Sequence, residues 1–495
     1  MKTSKTLFDL NFLLRIANVL ICGLCIYLFN IIDDCGIINV FTIVLVCFFA
    51  IENIGMLAYE KRKRNPFIII LVLVITVFYM ARVATILHIP ASASLYKSLF
   101  SPSATELNYA LIFILLANAA MFAGFYCAEK FNEHRKKIVC KEDNFPQIKN
   151  AIIIIALVLS VSFFNVLNFE LLGRLTGYIQ TLLNRFTILL FTFTILAYHY
   201  NKISLRTRVL FMFIVTLIVI LITLSGSRSG VLYVGMALLM GILVVKQKVM
   251  VSKKSVLVIL ILIPISIIFF ATATFKQQQG IKDTITIEHL SILEESHAVY
   301  EIIEGYLPFI YYRLGFLDFS TELIANRQKF AQIINGKYYA ESIVDNVLTP
   351  GFDVFDTPKA SNALSYISRG EPVPDKDQIM SYYQSDQMGI YGEYYVFFNG
   401  YPALVVFFFM AFIIQRIFVN LQTANGLLTC IYRAVLLNLF YIWLNSFGLD
   451  WFVFDVVVAV ITTFIFARFY VSKRGKVVFG LNWKKMQIMS GLQRR

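Results

Sequence analysis

Apolar residues fall in runs of about membrane length along nearly the whole chain, separated by short polar stretches. A helix needs ~20 predominantly apolar residues to cross a hydrocarbon core. On that measure the pattern predicts twelve spans, roughly 14–32, 37–57, 67–88, 108–127, 151–168, 184–200, 208–224, 230–246, 255–274, 396–418, 427–447 and 451–470. The sixth is the weakest, because Asn184 and Arg185 crowd its start. The first run lacks a small-residue cleavage site after it, so it reads as a membrane helix that stays. Between the ninth and tenth runs the apolar pattern breaks over residues 275–395. Within that break, 288–305 and 308–327 carry helical periodicity, whereas 349–362 and 369–377 are turn-rich.

The expected fold class is therefore an all-α polytopic membrane protein, with about twelve transmembrane helices and one large extracytoplasmic loop domain between spans nine and ten. Residues 1–274 hold spans one to nine, 275–395 the loop domain, 396–470 spans ten to twelve, and 471–495 a basic tail. Composition agrees: 58% of residues are hydrophobic, 15% are charged, and the mean hydropathy is +0.72. Soluble domains carry about 25% charged residues. The net charge of +14 calls for no nucleic acid, because its distribution follows the loops. The segments 60-EKRKR-64, 130-KFNEHRKKIVCK-141, 202-KISLRTR-208, 246-KQKVMVSKK-254 and the tail all fall on one side. Basic loops stay cytoplasmic, which puts both termini inside and 275–395 outside. There, acids outnumber bases by about eight and tyrosines are frequent. No cysteine spacing resembles a metal site or a disulfide framework, and no cofactor is expected.

The expected topology sets 225-SGSRSG-230 at the outer face, between spans seven and eight. The hexapeptide is either a plain turn with a hydrated arginine or an anion pocket. Ser227 and Ser229 supply hydroxyls around Arg228, and backbone donors at the start of the next span point the same way. Other charges share this level: Arg82 near the outer end of span three, and Arg174 and Arg185 beside span six. Asp450 and Asp455 open span twelve. In the loop, 313-RLGFLD-318 sets Arg313 and Asp318 on one expected helix, and His297 lies two turns beyond His289. Glu393, with Tyr394 beside it, stands just before span ten. Its carboxylate can accept a proton from a sugar hydroxyl or pair with an outer arginine.

Taken together, 225-SGSRSG-230, 313-RLGFLD-318 and 389-GIYGEYYVFFNG-400, in this order of spans and loop, resemble the Wzy-type O-antigen and capsule polymerases. The resemblance implies a glycosyltransferase of the bacterial cytoplasmic (inner) membrane. Such an enzyme transfers a growing glycan from undecaprenyl diphosphate to the terminal hydroxyl of the next lipid-linked repeat unit. It implies catalytic roles for Arg228, Arg313, Glu393 and His297, and substrate contacts from Ser227, Ser229, Arg82, Arg174 and Tyr394. The implied partners are the undecaprenyl-diphosphate-linked oligosaccharide, the lipid bilayer and a polysaccharide chain-length regulator. Two other readings stay open: an O-antigen ligase, which shares the donor, and a flippase or transporter of lipid-linked oligosaccharide. The latter class shows paired halves, and no such repeat is visible in this chain.

Overall fold

The computed structural model describes residues 7–31, 36–86, 102–131, 185–199, 228–246, 250–252, 316–348, 354–375, 389–422, 426–445 and 448–471. Four long helices open the chain: α1 (Leu10–Ile31), α2 (Val40–Lys63), α3 (Pro66–Ile86) and α4 (Ala104–Lys130). Local chemistry sets their ends. Asn39 and Ser103 make reciprocal capping boxes with Thr42 and Glu106. Asn65 caps α3, with Pro66 in its first position, where the missing N–H costs nothing. The α2–α3 corner turns on Arg64, in the left-handed region at φ 55°.

Two further helices are α5 (Arg185–His199) and α6 (Arg228–Lys246). They approach closely at Gly241, where a Cβ would lie 3.0 Å from the Phe193 backbone. A two-stranded antiparallel ribbon joins Leu7–Asp9 (β1) to Met250–Ser252 (β2), pairing Leu7 with Ser252 and Asp9 with Met250. Short helices follow: α7 (Phe316–Ala325), α8 (Arg327–Phe330), α9 (Gly336–Ile343, ending in a π turn at Val344–Leu348), α10 (Ala360–Ser368) and α11 (Ile390–Phe397). The chain then forms α12 (Ala403–Gln422), α13 (Leu427–Leu444) and α14 (Leu449–Val471).

The core of the bundle is aromatic. Phe67 of α3 packs on Phe125, Phe418 and Phe440, with ring centroids 5.8, 4.9 and 5.2 Å away, and so joins α3, α4, α12 and α13. Helices α4 and α12 touch backbone to backbone at Gly124, where a Cβ would overlap the Phe408 carbonyl oxygen. Small residues at such crossings allow apolar helices to pack closely. Polar groups inside the bundle are joined across helices. Asn53 Nδ2 donates to Asn18 Oδ1 at 2.7 Å, and Asn18 Nδ2 donates to Thr76 Oγ1 at 3.0 Å.

Polar clusters mark the two ends of the bundle. At the end carrying Lys61, Arg62 and Lys63, Glu129 accepts from Tyr59, Asn65 and Gln415 at 2.7, 2.7 and 3.0 Å. Asn11 bridges to the Leu57 carbonyl at 2.8 Å and to the Glu60 carboxylate at this basic end. At the opposite end, Thr42 donates to Asn108 at 2.7 Å, and Asn108 donates to Asn39 at 3.0 Å. The described helices of 316–397 gather at that same end, called the loop end below.

Two expectations are corrected here. Among the described residues, six helices rather than twelve have the length and apolarity to cross a membrane: α1, α2, α3, α4, α12 and α13. The expected sixth span falls on α5 (Arg185–His199) and the expected eighth on α6 (Arg228–Lys246), and the residues flanking both helices lie outside the described ones. The runs at 151–168, 208–224 and 255–274 lie outside the described residues, as does the expected helix at 288–305.

The second correction concerns the loop. Among the described residues, no separate loop domain stands on the bundle. Phe316, Leu317, Ile324, Tyr391, Tyr394 and Tyr395 belong to one core with the long helices. A smaller core of Leu323, Phe330, Ile334, Tyr339, Leu364 and Ile367 extends from it. The expected tenth span at 396–418 is likewise divided, into α11 and, after a turn through Gly400 (φ +106°), α12. The chain is nonetheless a largely helical, multi-pass membrane protein.

Gly124→Val is expected to push α4 and α12 apart and to lower stability by about 1–3 kcal/mol, the usual range for overpacking. Gly55→Ala, where a Cβ meets nothing within 4 Å, is expected to be neutral. Thermal unfolding of the two variants in one detergent distinguishes them.

Candidate functional site

The loop end is organised around a change in the winding of α3. Its residues Ile75–Met80 form a π turn, a feature that often accompanies functional sites. Just beyond it, Arg82 turns inward and meets Asp318 in the first turn of α7. Nε lies 3.1 and 2.9 Å from the two carboxylate oxygens, and Nη2 lies 2.8 Å from Oδ2. Both side chains are nearly sealed, at 2% and 8% exposure. Burial raises the Asp318 carboxyl above its ordinary value, and the Arg82 charge opposes that rise. A carboxylate at a helix N-terminus also gains from the helix dipole.

Beside this pair, α11 crosses α7 closely enough that a Cβ on Gly392 would lie 2.8 Å from Ser320 Cα. The preceding Gly389 has φ +64°, and a Cβ there would stand 3.0 Å from Tyr79 Oη and 3.1 Å from Ser320 Oγ. Both hydroxyls are buried, and they face each other, with Ser320 the hydrogen-bonding neighbour of Tyr79.

The carboxylate of Glu393 lies one turn further along α11 and is 1% exposed. Oε1 accepts from Tyr339 Oη of α9 and from the Leu449 N–H at the start of α14, the latter at 2.6 Å. Oε2 is buried and unpartnered. Burial pushes this carboxyl up to about 7, with the two donors pulling it down and Asp450 adding to the rise.

Asp450, buried next to Leu449, accepts from Ser342 Oγ at 2.7 Å and from the Ala360 N–H at 2.9 Å. Asp345 accepts backbone N–H groups from Val354, Phe355 and Thr357, the shortest at 2.8 Å. The part of the turn-rich 349–362 stretch that is described therefore closes around a carboxylate. Lys359 stands 3.4 Å over the Trp451 ring. Three carboxylates thus fasten α9, α10, α11 and the start of α14 to one another.

The expected site residues distribute unevenly around this arrangement. Arg82 and Glu393 belong to it. Tyr394 is buried beside it, accepting from Trp443 Nε1 at 2.9 Å and stacked on Phe407. Arg228 and Ser229 are the first two residues of α6. Ser227, Arg174, Arg313 and His297 lie outside the described residues. Sequence reasoning passed over Tyr79, Ser320, Tyr339 and Ser342. The available signals were weak: a tyrosine among many in the loop, and serines with no pattern around them. Among the described residues, no group of three or more His, Cys, Asp or Glu side chains converges as a metal site would require.

Comparison with protein-family models, curated proteins and solved structures finds no match. The chemistry of the site is therefore argued from its own groups. One ion pair is closed and fully engaged, and one carboxyl has a free oxygen and a proton to exchange near neutrality.

Removing one member of the buried pair, by Arg82→Ala or Asp318→Ala, is expected to destabilise the protein by about 3–5 kcal/mol. The double variant Arg82→Met/Asp318→Leu is expected to recover part of that loss, read as unfolding midpoints in detergent. A second expectation follows from Glu393. Its folded-state value lies above the ordinary 4.5, so its contribution to stability is fully present below about 4.5 and is lost as pH rises through about 7. The difference in stability between wild type and Glu393→Gln, followed from pH 4 to 8, is expected to shift in favour of the variant as pH increases.

Proposed function

We propose that this protein is a glycosyltransferase that polymerises undecaprenyl-diphosphate-linked oligosaccharide repeat units at the outer face of a bacterial cytoplasmic membrane. The observation that carries the reading is Glu393. It is a carboxyl held at the loop end by Tyr339 and the Leu449 N–H, with one free oxygen and a protonation range near 7. A general base works best when its pKa lies near the operating pH. The positive-inside bias supports the orientation, with the basic end and both termini in the cytoplasm and the loop end outside. The sequence resemblance supports the substrate class.

In this reading the acceptor hydroxyl loses its proton to Glu393 Oε2 while its oxygen bonds to the anomeric carbon of the donor glycan. The bond from that carbon to the diphosphate oxygen breaks, and the lipid diphosphate leaves with the negative charge. Cations at the membrane surface stabilise that charge; Arg228 and Arg313 are assigned this role. Arg82 acts through its pair with Asp318, as a positioning residue for α7.

A deletion strain complemented with wild type, Arg228→Ala or Glu393→Gln provides the test, with glycan ladders as the readout. Both variants are expected to insert at normal abundance, lose long-chain glycan and retain single repeat units on the acceptor. Removal of a general base typically costs about 10²–10⁴ in rate. A normal ladder from Glu393→Gln at normal abundance would remove Glu393 from the base role. A bare lipid core in the deletion strain would point to a ligase.

A further inference from the structure

We propose that Arg327, with the hydroxyls of Tyr109, Tyr395 and Tyr401, forms a binding site for the phosphate of a lipid headgroup at the loop end of the bundle. The three tyrosines come from α4, α11 and the turn before α12, and they form a cup of mutually edge-on rings. Centroid separations are 6.2 Å for Tyr109–Tyr395, 6.3 Å for Tyr109–Tyr401 and 6.3 Å for Tyr395–Tyr401. The Tyr109 and Tyr395 hydroxyls are 2.9 Å apart. Tyr109 and Tyr401 remain 39% and 42% exposed, while Tyr395 forms the sealed floor.

Arg327 enters this cup from the start of α8. A Cβ on Gly400 would lie 3.7 Å from Arg327 Nη1 and 3.9 Å from Tyr395 Cζ, so the guanidinium stands beside the hydroxyl-bearing edge of that ring. Gly400 itself has φ +106°, a left-handed turn residue between α11 and α12.

Charge pairing sets this arginine apart from Arg82 and Arg369, while Lys329 likewise shows no carboxylate partner among the described residues. At the loop end, Arg82 is locked to Asp318, Arg369 pairs with Glu371 at 3.2 Å, and Lys337 lies 3.9 Å from Glu341. Among the described residues, no carboxylate pairs with Arg327, although acids outnumber bases in 275–395. A half-buried guanidinium beside hydroxyl donors matches the planar, two-pronged recognition of phosphate oxygens.

The level in the membrane fits as well. Tyr109 lies less than two turns into α4 and Tyr401 two residues before α12, where amphipathic rings meet headgroups. The exposed ring faces then cover the part of the headgroup next to the phosphate. Two lipids carry that chemistry, a polyprenyl diphosphate and an anionic phospholipid. The inference stands without the glycosyltransferase reading, because it concerns binding and involves neither Glu393 nor Arg228.

The test uses the full chain in phosphatidylcholine nanodiscs, with farnesyl diphosphate and phosphatidylglycerol as separate probes, and retention read by native mass spectrometry. Wild type is expected to retain at least one probe. Arg327→Gln is expected to weaken that retention ~10-fold or more, as for loss of a charge-assisted hydrogen bond. Tyr109→Phe is expected to weaken it less, and the exposed neighbour Lys329→Gln to leave it unchanged. Unfolding midpoints are expected to be the same in all four proteins, since no carboxylate among the described residues pairs with Arg327. Retention of farnesyl diphosphate alone names the prenyl diphosphate as ligand, and retention of phosphatidylglycerol alone names the phospholipid. Equal retention by wild type and Arg327→Gln, an equal loss in Lys329→Gln, or no retention of either probe by wild type would overturn the proposal.

Discussion

A guanidinium sealed inside a membrane bundle needs its counterion within the protein, and Arg82 finds it in Asp318, 236 residues away along the chain. An unpaired charge in that position costs several kcal/mol. The pairing therefore fixes where α7 can sit. Once α7 lies against the end of α3, Gly392 brings α11 onto Ser320, and Glu393 follows into the interior. The described helices between Phe316 and Phe397 thus close the end of the bundle, and Asp318 and Glu393, which they carry, become buried.

A second constraint builds on the first. The carboxylates of Asp345, Glu393 and Asp450 each accept backbone N–H groups from a different stretch of chain. In an apolar setting such donors need acceptors, so each carboxylate ties down a turn or a helix start that has little hydrophobic surface of its own. Glu393 differs in keeping one oxygen free. That separates a group able to exchange a proton from two groups whose oxygens are occupied by fastening. Arg327 shows the converse pattern: among the described residues it pairs with no acid, and it stands near tyrosine hydroxyls.

Parts of this arrangement are legible in the chain. The capping residues Asn39, Asn65 and Ser103 sit where the apolar runs begin. Arg82 and Glu393 stand out because charged residues in or beside apolar runs are costly. Tyr339, Ser320 and Arg327 do not stand out: a tyrosine, a serine or an arginine in a polar segment is ordinary until its neighbours are known. The expected count of twelve spans was not met: among the described residues, six helices have the length and apolarity to cross a membrane.

The sequence by itself determined that this is a multi-pass helical membrane protein and set the order of its long helices, because hydropathy and capping are local properties that add along the chain. It also determined which end of the bundle is basic. Only the tertiary structure decided that the described helices of 316–397 are fused to the bundle, that Arg82 belongs to Asp318, and that, among the described residues, Glu393 keeps a free oxygen and Arg327 has no carboxylate partner. Those outcomes depend on contacts between residues far apart in the chain, and burial and charge pairing come into being only when the helices meet.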